Sequence, residues 1–598
     1  MRASFAKILG ASAVLVMGSA CGGAASNKDG AGGAGQTGGS GAAGYASGGS
    51  SPGAGAAGIG GGSPVNIGPQ AHASKLDVLF VLDNSLSMSD KHALLSASIP
   101  GFVTGLSKAV SDIHFGVITT SIGGHGGTVC ADQVTFPHQD DQAELLPAKR
   151  TGVPTYAGTD FLSYDAAGKT GSADPAAVAS DLQKTIAAVG EDGCGYEAPL
   201  EAMYRFLIDP EPPASVQKQD TQSVATGTND VLLNERKAFL RPDSAVAIVI
   251  LSDENDCSIQ DNGNGWFVGG SMKMPRATSA CDANPNDPCC RSCAESEVAP
   301  PAGCSALAQD SVCGAMLAGQ PYVTWDGQHD SLNLRCFDQQ RRFGFDLLYP
   351  VERYQNGLSN PRVPNRAGAL VDNPLLAGGR SATLISVSTI VGAPWQDLAA
   401  SESLAADHAL AYLDGAALAA NHRWPVLLGE PAQNQPPSDP FMIESIAPRT
   451  GENPLSHDKI APPTAQDPGL SAINGHERNL PDNDDLQYAC TFALPNPRPC
   501  TDGAAACLCA ATRTGDLTSI TTENSPLCQP PAGGAPSTTQ YYNKATPGAR
   551  ELRLAELLAE RAVPASICPK VSSGATSPDY AYAAALNALT TRIASTLK

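Results

Sequence analysis

The sequence predicts an α/β fold on a mostly parallel sheet, interrupted by two large Cys- and Pro-rich insertions. Three observations carry this. Apolar runs such as Val78-Leu-Phe-Val-Leu82 and Ala245-Val-Ala-Ile-Val-Ile-Leu251 are what strands buried on both faces of a parallel sheet require. Helical stripes follow, with Leu95, Ile99, Phe102, Val103 and Leu106 on one face near the start and Tyr582, Leu586, Leu589, Ile593 and Leu597 at the end. Between strand-like runs lie long stretches dense in Cys, Pro and Asn without clear periodicity.

Composition narrows the function. Lys+Arg 38 against Asp+Glu 59 gives a net charge of −21, which repels phosphate backbones and argues against nucleic acid as a partner. With 42% hydrophobic and 16% charged residues the chain has material for a sizeable core. Gly 61 and Pro 46 are high, but below the level of wholesale disorder.

Residues 1–21 read as an export signal. Arg2 and Lys7 precede an apolar stretch too short to anchor across a bilayer, then Gly18-Ser-Ala-Cys21-Gly22. Small residues before a Cys resemble the lipobox of bacterial lipoproteins, with Gly18 where Leu is usual. The resemblance implies lipidation at Cys21, a membrane held through acyl chains, and, from Gly22, an outer-membrane or cell-surface location. The alternative is an ordinary secretory signal with an incidental Cys. Residues 22–74 are almost only Gly, Ala and Ser. Such a segment cannot offset its ordering entropy, so it reads as a disordered tether spanning on the order of 40 Å.

The folded body is expected to open at Lys75. The run ending at Leu82 leads into Asp83-Asn-Ser85-Leu-Ser87, placed at a strand-to-helix turn. Residues 113–118 form a second strand ending at Thr119-Thr-Ser121. Helices are expected around Val178, Leu182 and Ile186 and over residues 198–207, the latter entered through Glu191-Asp-Gly-Cys-Gly-Tyr-Glu197. The run over residues 245–251 ends at Ser252-Asp253-Glu254-Asn255-Asp256.

These segments together resemble the von Willebrand factor type A (VWA) domain and its metal-ion-dependent adhesion site. The resemblance implies a doubly wound, Rossmann-like sheet carrying Mg²⁺ or another divalent cation. Ser85 and Ser87 would bind it directly, Asp83 through water, and Asp253 as the second acid. Hydroxyls and carboxylates are the ligands such a hard cation takes. Glu197 stands where that family places a metal-binding Thr, so it is either a ligand or an acid at a helix N-terminus. Ser85 and Ser87 also have a plainer reading as caps of the following helix.

The VWA reading divides the body into residues 75–256, a Cys-rich insertion over 257–380, a strand over 381–392, a second insertion over 393–545, and a closing helix–strand–helix over 546–598. Thr546-Pro547 is the expected cap of that helix, and residues 562–568 an edge strand tolerating Pro564. The rival is an early domain followed by an unrelated C-terminal one. There are 17 Cys; with Cys21 lipidated an even 16 remain, the parity of a disulfide framework in an exported protein. Cys281, Cys289, Cys290, Cys293, Cys304 and Cys313 have a zinc site as their alternative, though a second well-placed Cys-x-x-Cys pair is missing. Asp482, Asp484 and Asp485 read as a solvated acidic loop rather than a Ca²⁺ loop, and His476-Glu477 lacks the second His of a zinc helix.

The functional expectation is a non-enzymatic, surface-tethered protein that binds an oxygen or carboxylate of a protein partner through its cation. Two other classes stay open: a structural envelope component whose insertions make the contacts, and an extracellular hydrolase within an insertion. The sequence holds neither a Gly-x-Ser-x-Gly elbow nor a phosphate-cradling Gly loop.

Overall fold

The computed structural model describes residues 73–597, apart from 132–135, 316–319, 327–328, 406, 464–469, 481–483, 501–506, 510–523 and 535. The signal-like segment with Cys21, nearly all of the tether and Asp482 lie outside the described residues. Among the described residues, no helix is long and apolar enough to cross a membrane.

A six-stranded sheet organises the body. Its strands are β1 (Lys75–Leu82), β2 (Asp112–Thr119), β3 (Leu162–Asp165), β4 (Ser244–Leu251), β5 (Ile385–Val391) and, from near the C-terminus, β6 (Ala562–Ser566). Their spatial order is β6-β5-β4-β1-β2-β3. Every neighbouring pair is parallel except β2 with β3. The C-terminal segment therefore completes the sheet that Lys75 begins, with Pro564 on an edge strand where its missing N–H is tolerated.

The unbroken apolar runs follow from burial on two sides. In β1, Val78, Phe80 and Leu82 face one core with α1 (Ser89–Ala109), α2 (Pro175–Ala187) and the C-terminal helix Ala583–Thr596. Leu79 and Val81 face the other, against α3 (Pro199–Leu207) and α4 (Ala549–Leu558). Each fully buried Leu, Val or Phe contributes about 1.5–3 kcal/mol, so a polar residue in β1 has no face to occupy without cost.

Register sets where the strands stop. Leu82 lies beside Leu251 on one side and Thr119 on the other. Asp83, Ser252-Asp253 and Thr120 thus leave the sheet at one level along its carboxyl edge. The chain winds outward from β1 through β2 and β3, then returns to β4 on β1's other flank. In open α/β sheets this reversal leaves a crevice that loops can line.

All 16 described cysteines are paired, as Cys130–Cys194, Cys257–Cys336, Cys281–Cys290, Cys289–Cys304, Cys293–Cys313, Cys490–Cys568, Cys500–Cys507 and Cys509–Cys528. The zinc alternative for the Cys281–Cys313 cluster falls, because its thiols are consumed as disulfides. Such a framework belongs to an oxidising compartment. The second insertion contributes an antiparallel pair, Cys490–Pro499 with Thr539–Ala545. Cys490–Cys568 fastens it to the chain just beyond β6.

Two local expectations are corrected. The helix expected to start at Thr546-Pro547 begins at Ala549 without a side-chain cap; the Thr546 hydroxyl and N–H instead both donate to the Asp253 carbonyl, at 3.4 and 2.9 Å. The acidic stretch is not simply solvated. Asp485 pairs with Arg478 at 2.5 Å, and Glu477 is fully buried against Arg449 at 2.9 Å. Tertiary partners decided both.

Candidate functional site

Asp83 ends β1 with its N–H on the Leu251 carbonyl at 3.0 Å. Its carboxylate is fully buried and bridges two segments, accepting from the Ser85 N–H at 2.7 Å and the Ser252 hydroxyl at 2.8 Å. Ser87 donates to the Asp253 carboxylate, 2.9 Å from both oxygens, and the Ser85 and Ser87 hydroxyls lie 3.5 Å apart. Four of the five expected residues therefore form one bonded cluster. The capping alternative for the serines fails: α1 starts at Ser89 and has no side-chain cap.

Glu197 approaches from the neighbouring loop. That loop docks through Gly193, whose N–H donates to the Asn84 carbonyl at 2.8 Å, and through Ser121, which bonds Asn84 Oδ1 and the Cys194 N–H, each at 2.8 Å. A Cβ at Gly193 would lie 2.5 Å from the Asn84 amide, so only Gly permits this approach. Nor does Glu197 cap α3. The first-turn N–H groups of Leu200 and Glu201 are taken by Asp256 and Ser258, each at 3.0 Å. Glu197 is buried with Oε1 unpartnered, and Thr120 Oγ1, at the end of β2, is also buried without a partner. Leaving such groups unpaired costs about 1–3 kcal/mol each.

Residues the sequence reading missed complete the surroundings. Lys91 of α1 is fully buried, with Nζ 2.8 Å from Asp253 Oδ2, 3.1 Å from Asn543 Oδ1 and 3.0 Å from the Ser87 carbonyl. Lys544 comes from the second insertion, 3.2 Å from Asp253 and 2.8 Å from Glu254. Lys91 did leave a trace, because it continues the Leu95–Ile99 stripe one turn upstream, where a charge needs a buried partner. Lys544 left none.

The electrostatics divide the acids. Burial, then the Asp253 charge, push Asp83 up to about 7. Burial, with Glu254, Asp83 and Asp253 nearby, pushes Glu197 well above the usual carboxylate range. Burial also opposes ionisation of Asp253, but Lys544 and Lys91 outweigh it and hold that carboxyl low. Burial lowers Lys91, whereas Asp253 and Glu254 overcome burial to keep Lys544 protonated. His92 is driven down to about 4 by burial; as a neutral ring it donates to the Asp83 carbonyl at 2.8 Å.

Among the described residues there is no group of three or more His, Cys, Asp or Glu arranged to hold a metal ion. The expected acids Asp83, Glu197 and Asp253 are no exception and do not form such a group. What the expected set does offer is donor type: its hydroxyls and acids are oxygens of the kind a hard cation takes, Glu197 Oε1 is an orphaned buried acceptor, and Lys91 and Lys544 already stand on Asp253. Compared with family models, curated proteins and solved structures, the chain matches none of them.

Proposed function

We propose that the chain is an exported, envelope-tethered binding protein of the VWA type rather than an enzyme. In this reading the carboxyl edge of its sheet captures an oxygen-bearing group, such as a carboxylate, on a protein partner. The observation that carries this is the unpartnered, buried Glu197 Oε1 beside the Asp83/Ser85/Ser87/Asp253 cluster.

Ser85 and Ser87 would hold a divalent cation, Mg²⁺ or another, with Asp83, Glu197 and Asp253 balancing its charge. Bound there, the cation supplies a Lewis-acidic position for the partner's oxygen. The chain's own residues do the positioning. Asp83 locks the Ser85 backbone, Ser252 orients Asp83, and Asn84 fixes the Glu197 loop. Leu86, 43% exposed in the middle of the motif, offers the partner an apolar contact beside the polar centre. The signal-like start, the Gly-rich stretch and the disulfides support display outside the cytoplasm on a lipid anchor at Cys21.

The test is calorimetric titration of the purified body with Mg²⁺ and, separately, Ca²⁺. One saturable equivalent is expected, lost in Asp83→Ala and weakened at least tenfold in Glu197→Gln. No saturable uptake of either ion by the parent protein overturns the reading. Uptake that raises stability while Leu86→Asp and the parent share every binding partner favours the structural-component alternative.

A further inference from the structure

Lys91, Asn543 and Asp253 form a second chemical unit within this region. All three side chains are buried, at 0%, 2% and 0% exposure. Lys91 Nζ touches Asn543 Oδ1 at 3.1 Å and Asp253 Oδ2 at 2.8 Å. Asn543 Oδ1 also accepts the backbone N–H of Lys544 at 2.8 Å, and its Nδ2 lies 3.2 Å from Asp90 Oδ2. A primary amine thus lies within hydrogen-bond reach of a carboxamide whose oxygen the Lys544 N–H polarises, with a carboxylate on the amine and little water at hand. Holding an amine beside an amide raises their effective molarity over that of free groups. A positioned carboxylate is the general base such an attack needs.

We propose that Lys91 and Asn543 join in an intramolecular isopeptide bond promoted by Asp253. Asp253 takes one proton from the Lys91 ammonium. The free amine attacks Asn543 Cγ, and the developing charge on Oδ1 is met by the Lys544 N–H. A second Nζ proton passes to Nδ2, the Cγ–Nδ2 bond breaks, and ammonia leaves with the proton held by Asp253. A secondary amide and one ammonium ion result. No electrons change hands, no co-reactant is consumed, and the Asp253 carboxylate is restored.

Asp253 itself is the poorer electrophile. It is an anion, held so by Lys544 at 3.2 Å, whereas the amide of Asn543 is neutral. The bond would tie the first turn of α1 to the second insertion across a separation of 452 residues. It would constrain the unfolded chain as a disulfide does, but survive reduction. The inference needs no metal, although it draws on the same Asp253 carboxylate as the cation reading, and its test reads the covalent bond alone.

Mass spectrometry of the full chain, unfolded and fully reduced, tests it. The expected mass is one ammonia below that of the encoded chain after any N-terminal processing. Tandem spectra of a tryptic digest should show the Lys91 and Asn543 peptides joined. Asn543→Ala and Asp253→Ala should each give the two peptides separately. Should those variants not fold, the parent digest decides alone. Recovery of both peptides unlinked overturns the proposal; so does ammonia loss confined to the Asn543 peptide, the mark of a succinimide. Loss of water with Lys91 joined to Asp253 overturns the assignment of the acceptor.

Discussion

Lys544 offers the sharpest test of how the site is held together. Its ammonium is 6% exposed and lies 2.8 Å from Glu254 and 3.2 Å from the fully buried Asp253. Lys544→Met keeps most of the stem and removes the charge that Asp253 and Glu254 both face. Removing one partner of a buried pair costs about 3–5 kcal/mol, because the other charge stays desolvated. Unfolding entropy of about 2.1 cal/mol/K per residue, over the roughly 500 residues of the body, makes 1 kcal/mol worth ~1 °C. The variant should therefore melt ~3–5 °C below its parent in chelator, followed by near-ultraviolet circular dichroism. Lys184→Met is the control. Its pair with Asp181 is exposed (63% on the lysine), so the loss should stay within about 1 kcal/mol. The Lys544 loss should also shrink in a Glu254→Gln background, since the two residues share one contact. A Lys544→Met protein that melts no lower than the Lys184→Met control refutes the claim that buried charges knit this site.

Three further outcomes follow from the structure. Glu235 is buried with one oxygen on the Leu145 N–H at 2.8 Å and the other unpartnered, and burial pushes it up to about 8. The native state thus holds its proton more tightly than the unfolded chain. Its contribution is whole below about pH 4.5 and is lost as pH rises toward 8, by at most about 5 kcal/mol at ~1.4 kcal/mol per unit; Glu235→Gln should flatten that slope in urea titrations from pH 5 to 9. A Cβ on Gly392 would overlap the Thr546 carbonyl oxygen, so Gly392→Ala should cost about 1–3 kcal/mol by overpacking; an unchanged denaturant midpoint would count against the close approach. Cys490–Cys568 closes a separation of 78 residues, and loop entropy assigns it about 4.5 kcal/mol. A Cys490→Ala/Cys568→Ala protein that is as stable as its parent without reductant would contradict that.

Much of the sheet was legible in the chain because burial on both faces leaves a signature that solvent-facing strands lack. Val78 to Leu82 has no polar position, and neither does the run over residues 245–251. Ser85, Ser87 and Asp253 were legible as a set through their placement just beyond such runs, and the structure bonds Ser87 to Asp253. The short antiparallel β3 was not foreseen. Glu197 stood undecided between cap and ligand, since both uses want an acid before a helix. Only the packed structure shows Asp256 and Ser258 taking the capping role.

Local pattern alone, then, determined the long buried strands and the helical stripes, because hydrophobic period is a property of neighbours in the chain. Which thiols pair, and which cations face Asp253, depended on segments hundreds of residues apart meeting in space. Lys91, Asn543 and Lys544 show the difference: one lies on the first helix and two in the second insertion, and nothing in their own neighbourhoods specifies the contact. Folding the insertion back over the carboxyl edge of the sheet brings Lys544 to the Asp253 carboxylate and Asn543 to Lys91, and desolvation there then compels them to pair.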